Sequence, residues 1–276
     1  MEKSLPTVKK SIFLLMGGFG LGFFVALLYS LGYLVFTPGL DIQNANLYVA
    51  MFLGEAVIPI PIIIWGIKNK HYLKDLFRLN PVNPGMWLPG IISSMGILIA
   101  LDEIDRIIST LITMPESKIQ GIESIMQIQG PISALFIIGV VVFLGPIVEE
   151  MVFRGFLQRV LENKLRKTIY SILISAASFA ILHFNPWWLI QIYIMGIFLA
   201  YLGYYSRSIF LPFILHALNN GASVLASQFP DKEVQFYSWQ GHVHPLILLI
   251  GVLAIYYGLK KIKNKSIRKS INVLGG

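Results

Sequence analysis

A set of six polar side chains interrupts the apolar stretches in the second half of the chain. The set consists of Glu149, Glu150, Arg154, His183, His216 and Asn220. An ionisable side chain at the centre of a bilayer costs roughly 2.5–3.5 kcal/mol on insertion scales, so such residues are rare unless they have a function. Carboxylate, imidazole and carboxamide groups are able to activate water and to stabilise an oxyanion. The pattern therefore predicts a hydrolytic site embedded in a membrane.

Helical spacing divides the first three of these residues into a pair and a single carboxylate. Residues i and i+4 share one face of an α-helix, whereas residues i and i+1 point about 100° apart. Glu150 and Arg154 are therefore expected to form an ion pair that neutralises both charges and supports the site. Glu149 has no partner at this spacing, and we predict that it carries the chemistry. The alternative is that all three form a helix-end cluster at the membrane surface.

The two histidines lie on separate apolar segments, each with an i,i+4 companion. Phe179 shares a helix face with His183, and His216 shares one with Asn220. A lone histidine at a helix end is usually an interfacial residue or a hydrogen-bonded core residue. Two histidines and a carboxamide on separate spans favour a shared pocket instead. At 1.5 Å per residue, Glu149, His183 and His216 lie roughly 21, 22 and 13 Å from the basic helix ends, so tilted helices can bring them together.

Two chemical schemes fit these side chains. In the first, Glu149 and His183 take the proton from a water molecule, while His216 and Asn220 donate hydrogen bonds to the developing oxyanion. Such a donor is worth roughly 2.7–4 kcal/mol in known cases. In the second, Glu149, His183 and His216 hold a divalent metal ion such as zinc, which acidifies the water as in a metalloprotease. The residues alone leave both schemes open.

Three short motifs carry a resemblance to a known family. They are Glu149-Glu150-x-x-x-Arg154, then Phe179-x-x-x-His183, then His216-x-x-x-Asn220, on three late spans. In this order they resemble the CPBP family, also called the Abi family, which comprises CAAX proteases and bacteriocin-processing enzymes. The likeness is to bacterial members and covers residues 131–226, which we take as the core of the protein.

The resemblance implies an intramembrane endopeptidase that acts on a peptide or membrane-protein substrate, such as a signal-type or bacteriocin-type peptide. It implies that the first glutamate and the first histidine activate water, which are Glu149 and His183 here. The second histidine and the asparagine, His216 and Asn220, would stabilise the oxyanion. Glu150, Arg154 and Phe179 would shape the site. A non-catalytic immunity or scaffold protein on the same fold is the first alternative, and a proton-coupled transporter is the second.

Composition defines the elements that must position these residues. Of the 276 residues, 55% are hydrophobic and only 13% are charged, against roughly 25% charged in soluble domains. We predict an all-α, polytopic membrane protein with about eight transmembrane helices in one integral domain, residues 1–276. The predicted spans are 11–36, 46–67, 85–101, 132–162, 168–184, 187–206, 208–227 and 244–262. The sequence has no cysteine, which excludes disulfides, thiolate metal ligands and cysteine catalysis.

The distribution of positive charge predicts the orientation of these spans. With the amino terminus inside, nineteen of the 22 Lys and Arg residues fall on the inner side, including those of a basic tail at 260–276. This bias predicts a multi-pass protein of the cell membrane with both termini in the cytoplasm. The net charge of +8 is explained by the loops and the tail in contact with the lipid bilayer, so no nucleic-acid partner is expected.

Three further features are given only limited roles. Residues 102–130 are expected to form a loop outside the membrane, partly helical at 117–128. Asp102, Glu103 and Asp105 at its start are interpreted as a hydrated helix end rather than a metal-binding loop. Glu55 lies in the middle of the second span, and the sequence does not decide between a pocket residue, a structural hydrogen-bonding residue and a catalytic one.

Overall fold

The computed structural model describes residues 4–36, 43–165, 167–229 and 236–274, without the side chains of 43–45 and 267–274. The described chain is almost entirely helical, which confirms the all-α prediction. Its α-helices are α1 (Val8–Phe36), α2 (Gln43–Val57), α3 (Ile60–Lys68), α4 (Leu73–Leu76), α5 (Trp87–Leu111), α6 (Glu116–Met126), α7 (Pro131–Phe136), α8 (Gly145–Glu149), α9 (Gln158–Lys164), α10 (Thr168–Ile181), α11 (Leu189–Ser206), α12 (Phe210–Ser227) and α13 (Pro245–Leu274). A 3₁₀ turn (Pro84–Met86) precedes α5, and the short strands β1 (Ser238–Trp239) and β2 (His242–Val243) form an antiparallel hairpin.

The helix that carries the first motif changes its hydrogen-bonding register twice. Two π-helical segments, Ile137–Leu144 and Glu150–Leu157, lie on either side of α8. Together with α7 and α9 they form one continuous helical stretch, Pro131–Lys164, which we call the motif helix. Single π-helical turns are rare and are often found at functional sites. The register changes surround the Glu149-Glu150 pair.

All eight predicted spans fall on helices. Six of these helical stretches are long and apolar enough to cross a membrane: Val8–Phe36, Asn46–Lys68, Pro84–Leu111, Pro131–Lys164, Leu189–Ser206 and Pro245–Ser266. The other two are α10, which has only 14 residues, and α12, whose hydropathy is lowered by His216, Asn219 and Asn220. The two helices that fall short therefore carry or directly precede the histidines of the predicted site. The multi-pass membrane architecture is confirmed.

The predicted loop at 102–130 is wrong at its start. Helix α5 continues to Leu111, and α6 lies close to the expected helical segment. The helix continues because no glycine or proline interrupts it before Pro115, and because Arg106 pairs with Asp102 at i,i+4 across 3.2 Å. The basic tail differs as well, since α13 extends as a helix to Leu274. Between the predicted spans 208–227 and 244–262, where a second outer loop is expected at 228–243, residues 230–235 lie outside the described residues.

Close helix contacts at glycine hold the amino-terminal helices together. A Cβ atom added at Gly18 of α1 would lie 2.2 Å from the carbonyl oxygen of Ile58, and one at Gly22 would lie 2.7 Å from that of Gly54. The two glycines therefore serve helix packing, as is common between membrane helices. Helix α2, which contains Gly54, in turn packs against the first π-helical segment and α8. The amino-terminal helices therefore reach the motif helix directly.

Candidate active site

The ion pair expected from the spacing is present and fully enclosed. Arg154 Nη1 donates to Glu150 Oε1 at 2.9 Å, and both side chains have 0% exposure. Arg154 Nη2 donates to the carbonyl oxygen of Gly196 on α11 at 3.3 Å, and the guanidinium lies over the ring of Phe179, 4.2 Å from its centre. Two buried opposite charges with hydrogen bonds and a cation–π contact are compatible with a low-dielectric interior. The helix-end cluster at the membrane surface is thereby ruled out for this pair.

Helix α11 accommodates this pair because it has a glycine where the Arg154 side chain packs against it. Gly203 leaves room for the Arg154 side chain, since an added Cβ atom would lie 3.3 Å from both Cβ and Cγ of the arginine. One turn further along the motif helix, Gln158 Nε2 donates to the carbonyl oxygen of Ala200 at 2.9 Å. Side chains four residues apart on the motif helix therefore bind carbonyl groups four residues apart on α11. This ladder fixes the relative position of the two helices.

His216 lies between the two glutamates. Its Nδ1 is 3.1 Å from Oε1 of Glu150, and its Nε2 is 3.6 Å from Oε2 of Glu149. The imidazole is buried, with 5% side-chain exposure, whereas the Glu149 side chain is 17% exposed. Since the Glu150 carboxylate is ionised against Arg154 and can only accept, Nδ1 of His216 donates to it. The structure thus joins the first and third motifs through one histidine.

His183 is oriented by the backbone of its own helix. Its Nδ1 lies 2.8 Å from the carbonyl oxygen of Phe179, and a carbonyl oxygen can only accept, so Nδ1 carries the hydrogen. A neutral His183 therefore presents Nε2 as a lone pair, which is the form required of a base or a water-orienting group. The ring of Phe179 lies against both histidines, 4.6 Å from His183 and 5.7 Å from His216 between ring centres. Phe179 is therefore the apolar side chain that contacts both histidines of the site.

Asn220 is held by a carbonyl group that the π-helical segment leaves free. In this segment the N–H of Gly145 donates to the carbonyl oxygen of Val140, five residues back. The next residue in that register, Pro146, has no N–H, so Val141 lacks its helical donor. Asn220 Nδ2 supplies the missing hydrogen bond at 2.9 Å. One hydrogen of the Asn220 amide is used in this way, and the second is available to another acceptor.

The three side chains proposed as metal ligands are not assembled as a metal centre. Glu149 and His216 are 3.6 Å apart, but His183 is engaged with the Phe179 carbonyl and has no carboxylate at ion-pair distance in the described part of the chain. Over the same residues, no group of three or more His, Asp or Glu side chains is arranged to hold a metal ion. The described residues therefore do not form an assembled zinc site of Glu149, His183 and His216.

One acidic residue from the amino-terminal half lies close to the motif helix, and the sequence left its role undecided. Glu55 lies on α2, which packs against α8, and its Oε2 is enclosed without a hydrogen-bond partner among the described residues. The signal in the sequence that could have identified Glu55 was its position in the middle of an apolar span. The role of Val141 was missed altogether, although Gly145-Pro146 inside a span indicates an irregular helix.

A comparison with known families identifies the segment that contains the three motifs. Residues 131–222 match the family described as type II CAAX prenyl endopeptidase Rce1-like. This match bears out the resemblance of the motif-carrying segment to the CAAX proteases. The match covers about a third of the chain, from the first residue of the motif helix into α12. Neither the curated proteins nor the solved structures contain a match to this chain.

The match supports a CAAX-type protease activity at the level of the family. All seven residues named from the motifs lie within the matched segment: Glu149, Glu150, Arg154, Phe179, His183, His216 and Asn220. Glu55 lies outside it. Within the matched segment, Glu149, Glu150, Arg154 and His216 form a polar cluster between the motif helix and α12. His183 lies at an exposed position just beyond the end of α10.

Proposed function

We propose that this protein is an endopeptidase that hydrolyses a peptide bond of a membrane-associated, signal-type or bacteriocin-type peptide. The observation that carries the proposal is the position of His216 between Glu149 and Glu150, next to the buried ion pair that Arg154 forms with Glu150. A carboxylate, an imidazole and a guanidinium brought together in a membrane interior form a polar pocket in which water can be activated. The proposal extends the family assignment to a substrate class and to a set of residue roles.

In the proposed reaction, Glu149 is the general base. Its carboxylate takes a proton from a water molecule while the water oxygen forms a bond to the carbonyl carbon of the peptide. The lone pair on Nε2 of His183 accepts the second hydrogen of this water and orients it. The carbon–nitrogen bond then breaks, and Glu149 returns its proton to the departing amine. The proton that reaches the amine therefore comes from the water molecule and passes through Glu149, which ends the step as a carboxylate.

The carbonyl oxygen becomes negatively charged in this step and needs hydrogen-bond donors. His216 donates through Nδ1 to Glu150, so only a protonated ring has a second donor at Nε2, and the two glutamates stabilise that form. The free hydrogen of the Asn220 amide is the other donor we assign to the oxyanion. Such donors are most effective where water is excluded and where they need no reorganisation. The Phe179 ring and the bond from Asn220 to Val141 provide that fixed setting.

The charge distribution supports the orientation expected from the sequence. Four helix ends carry basic residues, near Lys68, Lys164, Arg207 and Lys265. Basic helix ends favour the cytoplasmic face of the membrane. We therefore propose a multi-pass protein of the cell membrane with both termini in the cytoplasm. Its partners are the lipid bilayer and a peptide or membrane-protein substrate.

The test is to compare the membrane proteomes and released peptides of cells that carry the wild type or Glu149→Gln at matched expression. A peptide terminus produced only by the wild type would support proteolysis and would name the substrate and its side of the membrane. Glu116→Gln is the matched control, because the same change falls on an exposed residue of α6. If the wild type causes a phenotype that Glu149→Gln retains, the non-catalytic scaffold or immunity role is favoured instead.

A further inference from the structure

A cavity lies outside the polar cluster of the candidate active site, between α5, α6 and the turn that leads into α11. Its volume is about 340 Å³, and binding sites for small groups usually measure roughly 300–1,000 Å³. Most of the side chains that line it are apolar, and Trp187 and Trp188 form one wall. Ile119, Ile122 and Glu123 form another, because i,i+3 and i,i+4 spacing places them on one face of α6.

Hydrogen bonds hold these walls in place. Asn185 Oδ1 accepts from the backbone N–H groups of Trp187 at 3.1 Å and Trp188 at 3.2 Å, which fixes the turn before α11. The hydroxyl of Tyr48 on α2 donates to the carbonyl oxygen of Ile125 at 2.8 Å and anchors the end of α6. A cavity with anchored walls needs little ordering when a ligand binds, so less affinity is lost.

Two carboxylates determine which kind of group the cavity complements. Asp105 on α5 and Glu123 on α6 line it, and none of its described lining residues is basic. Neither carboxylate forms a hydrogen bond or an ion pair with another described residue. Tryptophan rings attract cations over their faces, and the stems of lysine and arginine cover apolar surface. The cavity therefore complements a cation on an apolar stem.

The position of the cavity relates this cation to the candidate active site. Trp187 follows His183 by four residues, so their Cα atoms are at most about 14 Å apart. An extended peptide advances about 3.3 Å per residue, and about four residues therefore span that distance. A peptide that places a basic side chain in the cavity is thus able to reach His183 with a bond a few residues away.

We propose that this cavity binds a lysine or arginine side chain of the substrate, and so selects peptides with a basic residue about four residues or fewer from the cleaved bond. The inference rests on the proposed function and narrows its substrate class to cationic peptides. The cavity lies at the ends of α5 and α11 that are remote from Gly85, which packs beside Lys265, and from Arg207. The basic residue is therefore bound on the face that the charge distribution places outside the cytoplasm.

Binding is measurable without cleavage. Purified full-length Glu149→Gln protein in phosphatidylcholine nanodiscs would be titrated with two fluorescent apolar heptapeptides, one with a central arginine and one with citrulline, its neutral isostere. We expect fluorescence anisotropy to show about tenfold tighter binding of the arginine peptide, and Glu123→Gln and Asp105→Asn each to lower its affinity about fivefold. Glu116→Gln, on the same helix as Glu123 but outside the cavity lining, is the matched control and should leave the affinity unchanged.

Three results of this titration would overturn the proposal, even if the protein proves to be a peptidase. The first is equal affinity for the two peptides. The second is a loss in Glu116→Gln as large as that in Glu123→Gln. The third is an arginine preference that disappears when phosphatidylethanolamine is added to the nanodiscs, because a lipid amine would then occupy the cavity.

Cleavage provides a second readout, on a peptide that only the wild type releases. Glu123→Gln should raise its KM about fivefold and leave kcat nearly unchanged, because the cavity binds a part of the substrate away from the reacting bond. A lowered kcat with unchanged KM, or released peptides without a basic residue near the cut, would contradict the proposal. An arginine preference without any cleavage that depends on the wild type would uphold the cation site and contradict the peptidase function.

Discussion

Two polar clusters with nearly the same residue types occupy very different parts of this molecule. The buried cluster consists of Glu149, Glu150, Arg154 and His216. The hairpin cluster consists of Asp102, Glu103, Arg106, Tyr237 and His242. Each contains an i,i+4 pair of a carboxylate and an arginine. The arginine and carboxylate have 0% and 0% side-chain exposure in the buried pair and 27% and 39% in the hairpin pair.

The hairpin cluster satisfies its polar groups locally. Glu103 accepts hydrogen bonds from His242 at 2.8 Å and from the backbone N–H of Val243 at 2.7 Å. Tyr237 donates to Asp102 at 2.8 Å. Burial, followed by this hydrogen bond, raises the pKa of the Tyr237 phenol above its usual range. These contacts join β1 and β2 to α5. The interpretation of Asp102, Glu103 and Asp105 as a helix end is wrong, because α5 continues to Leu111.

The buried cluster leaves polar atoms unsatisfied. Oε2 of Glu150 and Nε of Arg154 are enclosed without hydrogen-bond partners in the described part of the chain. Groups of this kind are costly in a protein interior and are often found at functional sites. The i,i+4 pattern therefore predicts the ion pair in both clusters but not the role of either cluster. Burial and the partners from other helices distinguish the proposed catalytic cluster from the hairpin cluster.

The largest expected effect comes from the arginine of the buried pair. Arg154→Ala leaves Glu150 buried without its counter-ion and should cost about 3–5 kcal/mol of stability. Arg106→Ala, the matched change in the hairpin cluster, should cost less than about 1 kcal/mol because its pair is open to solvent. Thermal unfolding in detergent and the amount of protein in the membrane measure both. Equal and mild losses from the two variants would remove the distinction between the clusters.

The second-largest expected effect is on the rate of catalysis. Asn220→Ala removes a proposed oxyanion donor and should lower kcat about 10²–10³-fold. It also frees the Val141 carbonyl, at a cost of about 1 kcal/mol in stability. Ser223→Ala, at an exposed position of the same helix, is the control and should leave kcat close to the wild-type value. An Asn220→Ala enzyme with unchanged kcat would show that this amide serves only to hold the π-helical segment.

A steric test addresses the packing that supports the buried cluster. A Cβ atom added at Gly155 would lie 2.5 Å from the carbonyl oxygen of Phe77, so Gly155→Ala should destabilise the protein by about 1–3 kcal/mol. Gly121→Ala on α6 has no atoms within 4 Å of the added methyl group and should be neutral or slightly stabilising. Thermal unfolding distinguishes the two outcomes. A stable Gly155→Ala protein would mean that the motif helix is free to move away from Phe77.

The smallest effect belongs to the hairpin cluster. Tyr237→Phe removes the hydrogen bond to Asp102 and should cost about 1 kcal/mol at neutral pH. Because the folded state raises the pKa of this phenol, its contribution is present below about pH 10 and is lost as the pH rises through the raised value. Unfolding measured from neutral to alkaline pH should therefore show a steeper decline for the wild type than for Tyr237→Phe. Identical slopes would contradict the buried hydrogen bond.

Local features of the buried cluster follow from the sequence, and its assembly does not. The ion pair of Glu150 with Arg154 needs only helical spacing, and the order of the spans follows from hydropathy. The placement of His216 between two glutamates depends on how α12 crosses the motif helix, which local spacing cannot specify. The register change at Val141 had a local signal in Pro146, but the use of Asn220 as the replacement donor is a tertiary contact.

Two further differences have similar causes. The length of α5 was underestimated because the charges from Asp102 to Arg106 suggest a loop, whereas the structure uses them as an intrahelical pair and as partners of the hairpin. The position of Glu55 depends on the packing of α2, which follows from close contacts at Gly18 and Gly22 of α1. Contacts between helices distant in sequence decide both.

The most direct test of the account compares one glutamate from each cluster. The rate of peptide cleavage by purified protein in liposomes would be measured for the wild type, Glu149→Gln and Glu103→Gln, together with their unfolding temperatures. We expect Glu149→Gln to lose about 10²–10⁴-fold in kcat, as for removal of a general base, with its unfolding temperature unchanged, and Glu103→Gln to keep its activity. Retained cleavage by Glu149→Gln, or an equal loss in both variants, would contradict the assignment of catalysis to the buried cluster.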